Sequence, residues 1–218
     1  MKMLEEFKKN ITPQKFLKDC NEFKVEEKKT YYISYPEFIK YFQNLTEPID
    51  KHNLIIGINF TYGWMPTILD FCSNRFEEAI QILNRAKEGK RPSVEELEIL
   101  KELFNNSLVG TSKLLHFINP EKFAIWDSRV YRYLTKGQEP YQNRIGNAKV
   151  FLDYLTFCDS ITQLKEYENV HKSICEKLGK LEKRANNMTK YRTVELIMYH
   201  NGGKIQKKVT KNNKRWGN

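Results

Sequence analysis

The chain has 218 residues, 40% of them hydrophobic and 29% charged, with a net charge of +10. That length supports a sizeable apolar core, and the composition is that of a globular domain rather than a fibrous or disordered one. The first ten residues carry Glu5 and Glu6, unlike a secretory or organelle leader. The apolar stretch from Leu54 to Trp64 is interrupted by Asn59 and falls short of the roughly 20 residues a membrane helix needs, so a soluble, cytoplasmic protein with no membrane partner is expected.

Helical periodicity dominates from the start. Thr30 to Ser34 has some β character, but Pro36 to Leu45 places Phe38, Ile39, Tyr41, Phe42 and Leu45 on one side of a helix, with Ser34 as its cap. Arg75 to Ala86 repeats the pattern, and Glu88 to Pro92 breaks it. Ser93 and Glu96 form a capping-box pair ahead of Val94, Leu97, Leu100, Leu103 and Phe104, which predicts a helix from Ser93 to about Asn105.

A turn at Ser107 to Gly110 is then expected, where glycine permits a positive φ and close approach to an anion, with the next helix running from Thr111 to Ile118 until Asn119-Pro120 stops it. Asp127 caps a further helix bearing Val130, Tyr131 and Leu134 up to Gly137. Helices near 148–157, 161–178 and 189–199 complete an all-α fold. Residues 1–200 are expected to form a single helical domain, as one body or as two packed helical halves with the cleft between them, and 201–218 a basic, flexible tail.

Charge is unevenly spread. Residues 107–149 hold seven lysines and arginines against three acidic residues, and 201–218 hold six against none. Lys113, Lys122, Arg129, Arg132, Lys136 and Arg144 surround the glycine turn, so nucleic acid is the leading partner, bound with strong salt dependence. Cys20, Cys72, Cys158 and Cys175 form no CxxC pair, and His52, His116, His171 and His200 are dispersed, so neither a metal nor another cofactor is expected.

Leu108-Val109-Gly110-Thr111-Ser112-Lys113 followed by Trp126-Asp127-Ser128-Arg129-Val130 resembles the hairpin and catalytic aspartate of helix-hairpin-helix DNA glycosylases. Tyr62 to Thr67 and Arg192 to Leu196, in the same order along the chain, are similar to bacterial proteins of the 8-oxoguanine-glycosylase-like branch. Leu108 stands where that family's first hairpin glycine is usual.

The resemblance implies a monomeric enzyme that flips a modified base out of double-stranded DNA and cuts its N-glycosidic bond. Asp127 would stabilise the cationic transition state. Val109, Gly110, Thr111, Arg129 and Arg132 would hold the DNA backbone, and Tyr62, Trp64, Met65 and Trp126 would line the base pocket. In the family, a lysine two positions after the last hairpin glycine forms a Schiff base with the sugar. That position is Ser112 here, which implies a monofunctional enzyme using water, while its neighbour Lys113 keeps a lyase open.

The substrate implied is an oxidised purine or a hypermodified, phage-type cytosine, in base-excision repair or antiphage defence. A non-catalytic helix-hairpin-helix DNA-binding protein, with Asp127 a cap only, is the alternative. A protein of phage defence that binds RNA or another protein through its tail is more distant.

Overall fold

The computed structural model describes residues 2–24, 29–65, 74–179 and 188–215, and among them it contains helices and no strand. No helix of the described residues is long and apolar enough to cross a membrane.

Local signals start several helices. Thr12 caps α2 (Pro13–Asn21), with Pro13 in the first turn, where its missing N–H costs nothing. The chain opens with α1 (Lys2–Asn10), and α3 (Lys29–Gln43) follows α2. Reciprocal capping boxes open α4 (Lys51–Gly63), through Asp50 and Asn53, and α6 (Val94–Glu102), through Ser93 and Glu96 as expected. Between them lies α5 (Phe76–Lys87).

Helix α3 departs from expectation. It starts before Ser34 and carries Pro36 within it, so the segment read as β-like is helical. Tertiary packing overrides the local preference: Tyr35, Ile39 and Phe42 are buried, and the Tyr35 and Phe38 rings pack on Phe117 of α7 (Leu108–Ile118). The Ser34 hydroxyl, freed from capping, accepts a hydrogen bond from Trp64 Nε1 at 2.9 Å.

Helix α7 is the hub of the first half. It packs against α3, α4, α5 and α6, and every residue of it except Val109 is buried. The second half comprises α8 (Ser128–Leu134), α9 (Gln142–Ile145), α10 (Ala148–Thr162), α11 (Lys165–Gly179) and α12 (Lys190–Arg215). The N-terminal helices join this half, α1 against α10 and α2 against α11 and α12. Tyr133 donates to Asp19 at 2.6 Å, and Asn10 donates to the Leu134 carbonyl at 2.9 Å.

One hydrophobic cluster runs through both halves, from Phe7 to Met198. Polar ties cross the same junction: Arg91 grips Asp159 with two bonds of 2.7 and 2.8 Å, and the Lys101 amine donates to the Gly146 carbonyl at 3.0 Å.

The boundary expected at residue 200 does not coincide with the end of an element. Helix α12 continues to Arg215, so 201–215, expected as part of a basic, flexible tail, lies within a helix. Its middle is held by α8. A Cβ on Gly202 would run into the Arg129 carbonyl oxygen, so only glycine lets the two backbones meet this closely.

Candidate functional site

The turn between α6 and α7 is built differently from its sequence reading. Asn105 and Asn106 take the left-handed conformation, at φ +48° and +58°, and Ser107 caps a helix that begins at Leu108. Asparagine tolerates this region better than other side-chain-bearing residues. Gly110 is therefore in the first helical turn, with its N–H bonded to Ser107 Oγ at 3.3 Å. Its lack of a side chain serves packing, since a Cβ would stand 2.6 Å from the Phe104 ring.

The three expected backbone-binding residues of this turn are mostly turned inward. Gly110 and Thr111 are buried, the Thr111 hydroxyl donates to the Ser107 carbonyl at 3.0 Å, and Val109 alone is partly exposed.

From α7 the chain returns through an extended segment to Asp127, whose Oδ1 accepts from Arg129 N at 2.7 Å and caps α8. Ser112 anchors this segment. Its hydroxyl oxygen accepts from Trp126 N at 3.0 Å and lies 2.9 Å from the Val109 carbonyl, and the side chain is fully buried. The residue expected to decide the chemistry is thus a strut between α7 and the residue before Asp127.

Trp126 is also inside, fully buried, donating from Nε1 to the Ile145 carbonyl at 2.8 Å and packed on Tyr154 with ring centroids 4.9 Å apart. It anchors the core. Tyr62 likewise is 6% exposed and stacked on Phe104.

One residue along a helix turns about 100°, and Lys113 has a different environment from Ser112. It is 9% exposed. Burial pulls its amine below the ordinary lysine range, Asp127 and Glu195 pull it back up, and Arg192 adds to the lowering. Lys113 is therefore electrostatically coupled to Asp127.

Arg192 and Glu195, three apart at the start of α12, complete this buried cluster. Arg192 Nη1 donates to Glu195 Oε2, and both residues are under 9% exposed. Burial pushes the Glu195 carboxyl up to about 7; Arg192 and Lys113 oppose the shift, and Asp127 adds to it. With all four groups ionised, two cations balance two anions.

Aromatic rings form the other wall. The Arg192 guanidinium lies 4.7 Å from the Tyr35 ring centroid and 5.6 Å from that of Trp64, and those two rings stack 5.9 Å apart. Burial, with the Arg192 charge, drops His116 to about 3, so its imidazole is neutral. His116 Nδ1 sits 2.6 Å from the Phe123 carbonyl and must donate to it, which leaves Nε2 to accept from the Tyr35 hydroxyl at 2.9 Å.

Of the expected pocket residues, Trp64 has a contact with this cluster. Met65 is partly buried against the core, and Pro66 and Thr67 of the same motif lie outside the described residues. Tyr35, His116, Arg192 and Glu195 had no role assigned from sequence. For Arg192 and Glu195 a signal existed: two charges three apart, one helical turn, set within a segment that also carries Val194, Ile197 and Met198.

The arginines expected to grip phosphates are engaged within the protein. Arg132 pairs with Glu139 at 3.0 Å with its side chain 13% exposed, and the Arg129 guanidinium stacks 4.5 Å from the Tyr199 ring. Comparison of the chain with protein-family models, curated proteins and solved structures gave no match.

Proposed function

We propose that the protein is a DNA glycosylase that flips a modified base from duplex DNA and breaks its N-glycosidic bond, with Lys113 and Asp127 as the reacting pair. The observation that carries this reading is the buried Lys113 amine, lowered by desolvation and coupled to Asp127 at the N-terminus of α8. An amine must lose its proton to act as a nucleophile, and desolvation is the usual way a protein achieves this near neutrality.

In the proposed reaction the Lys113 nitrogen bonds to sugar C1′ as the bond from C1′ to the base breaks, its electron pair leaving with the base, which takes up a proton. Asp127 stabilises the positive charge that develops on the sugar. Glu195, poised at about 7, is suited to take the amine proton. In the water-using, monofunctional route Asp127 assists a water instead, and the Ser112 hydroxyl, committed to Trp126, takes no part in either route.

An oxidised purine and a hypermodified cytosine both remain as substrates, in repair or in antiphage defence. The basic residues of 107–149 and the basic half of α12 support DNA as the partner.

The second reading is a non-catalytic DNA-binding protein, favoured by the 2.7 Å bond from Arg129 N that Asp127 accepts as a cap. Borohydride trapping separates the two. The wild type should form a covalent adduct with a duplex containing one abasic site, and Lys113→Gln should abolish it. Mass spectrometry of bases freed from genomic and phage DNAs then identifies the substrate. Salt-sensitive binding with neither adduct nor base release would establish the non-catalytic reading instead.

A further inference from the structure

Two buried side-chain polar atoms of the described residues have no hydrogen-bond partner, Thr61 Oγ1 and Arg192 Nε. Thr61 lies one turn before Trp64 on α4, and the Arg192 guanidinium is stacked near Trp64 itself.

A guanidinium has five N–H donors in one plane. Arg192 spends Nη1 on Glu195, and the faces of Tyr35 and Trp64 offset its charge without accepting Nε–H. The residue is 7% exposed, so bulk water does not serve this donor either. Buried donors are nearly always paired, and one left over in a charged, aromatic-walled cluster marks a place for an acceptor from elsewhere.

We infer that Arg192 is a specificity-determining residue whose Nε–H is kept for a neutral hydrogen-bond acceptor on the edge of a planar heterocycle, a keto oxygen or an unprotonated ring nitrogen. This deepens the glycosylase reading and rests on it for the source of the heterocycle, a base flipped from DNA.

The neutrality of the ligand follows from the charges. The Arg192 charge is already paired with Glu195, so an anion would bring a negative charge beside a buried carboxyl with no further cation offered by this pair, whereas an uncharged ring edge upsets nothing. Planarity follows from the walls. Trp64 is half-buried, and the faces of Tyr35 and Trp64 are the surfaces nearest the guanidinium. Acceptor character follows from Arg192, which has no acceptor of its own. A base without such an acceptor would leave the donor unpaired, and it is by this penalty that a buried polar group rejects a wrong ligand.

The test is equilibrium dialysis of the full-length protein against free guanine, 8-oxoguanine and cytosine, with indole as a planar ring that lacks an acceptor edge. The wild type is expected to bind at least one of the three bases more tightly than indole. Arg192→Gln and Arg192→Lys should each weaken that base by about tenfold or more, the size of one buried hydrogen bond, and leave indole unchanged. The lysine variant keeps the charge and the Glu195 partner, so it decides the matter if the glutamine variant does not fold.

Absence of binding to all three bases, or equal binding by the wild type and Arg192→Lys, overturns the assignment. Abasic-site trapping by the wild type reports on Lys113 separately. Arg192-dependent base binding with neither trapping nor base release from DNA would sink the enzymatic reading and keep this one.

Discussion

The Ser112 hydroxyl oxygen accepts a hydrogen bond from the Trp126 amide at 3.0 Å, joining the middle of α7 to the residue that precedes Asp127. This single bond sets the register of the site. It uses the Ser112 face of the helix for structure and leaves the neighbouring Lys113 face to the charged cluster.

Ser112→Ala should therefore act mainly on stability. It strands a buried amide, for which the loss is about 1–3 kcal/mol. Chemical denaturation should show a lower midpoint with an unchanged slope. An unaltered midpoint would mean that the bond contributes nothing.

Glu195 makes stability depend on pH in a defined direction. Its folded value of about 7 lies above its ordinary 4.5, so between these pH values the folded state holds a proton that the unfolded chain has released. Stability from this group thus falls as pH rises through that window. Glu195→Gln removes the titration, and its stability relative to wild type should grow from pH 4.5 to 7.5 by about 3 kcal/mol at most. Unfolding curves at the two pH values check this, and a constant difference would contradict it.

Gly202 and Gly203 are adjacent on α12 but should respond oppositely to alanine. At Gly202 a Cβ collides with the Arg129 backbone, so α12 must move away from α8, at a cost of about 1–3 kcal/mol or more. At Gly203 the nearest atom, Arg129 Cδ, is 3.5 Å away, an ordinary contact. The higher helix propensity of alanine then makes Gly203→Ala neutral or stabilising by up to about 1 kcal/mol. Thermal midpoints of the pair measure the contrast.

The basic half of α12 should show itself in salt dependence. Lys204 to Arg215 contains six basic residues and no acidic one. Removing residues 204–218 leaves the Gly202 contact in place and should flatten the plot of log affinity for duplex DNA against log salt by up to about 5. An identical slope would show that this helix does not touch the DNA.

The class of fold and several helix starts were legible in the sequence because they depend on neighbours in the chain. The Ser93–Glu96 box and the stripe of α6 need only residues three and four apart, and Asp127 was identifiable as a cap from its position. Pro36 misled because the burial of Tyr35, Ile39 and Phe42, with Tyr35 and Phe38 packed on Phe117 of α7, outweighs a local helix breaker.

The site itself was decided by tertiary structure. The sequence by itself determined that Ser112 and Lys113 stand beside each other ahead of Asp127, and that Gly110 stands just before them. It could not determine which of them meets Asp127, because that depends on the rotation of α7 against the segment at Trp126. Nor could it reveal that Gly110 serves the Phe104 ring, or that Arg192 and Glu195 join residues about 80 positions earlier in a buried cluster. Capping and periodicity act over a few residues, whereas desolvation and charge coupling act through space, and only the folded chain brings those groups together.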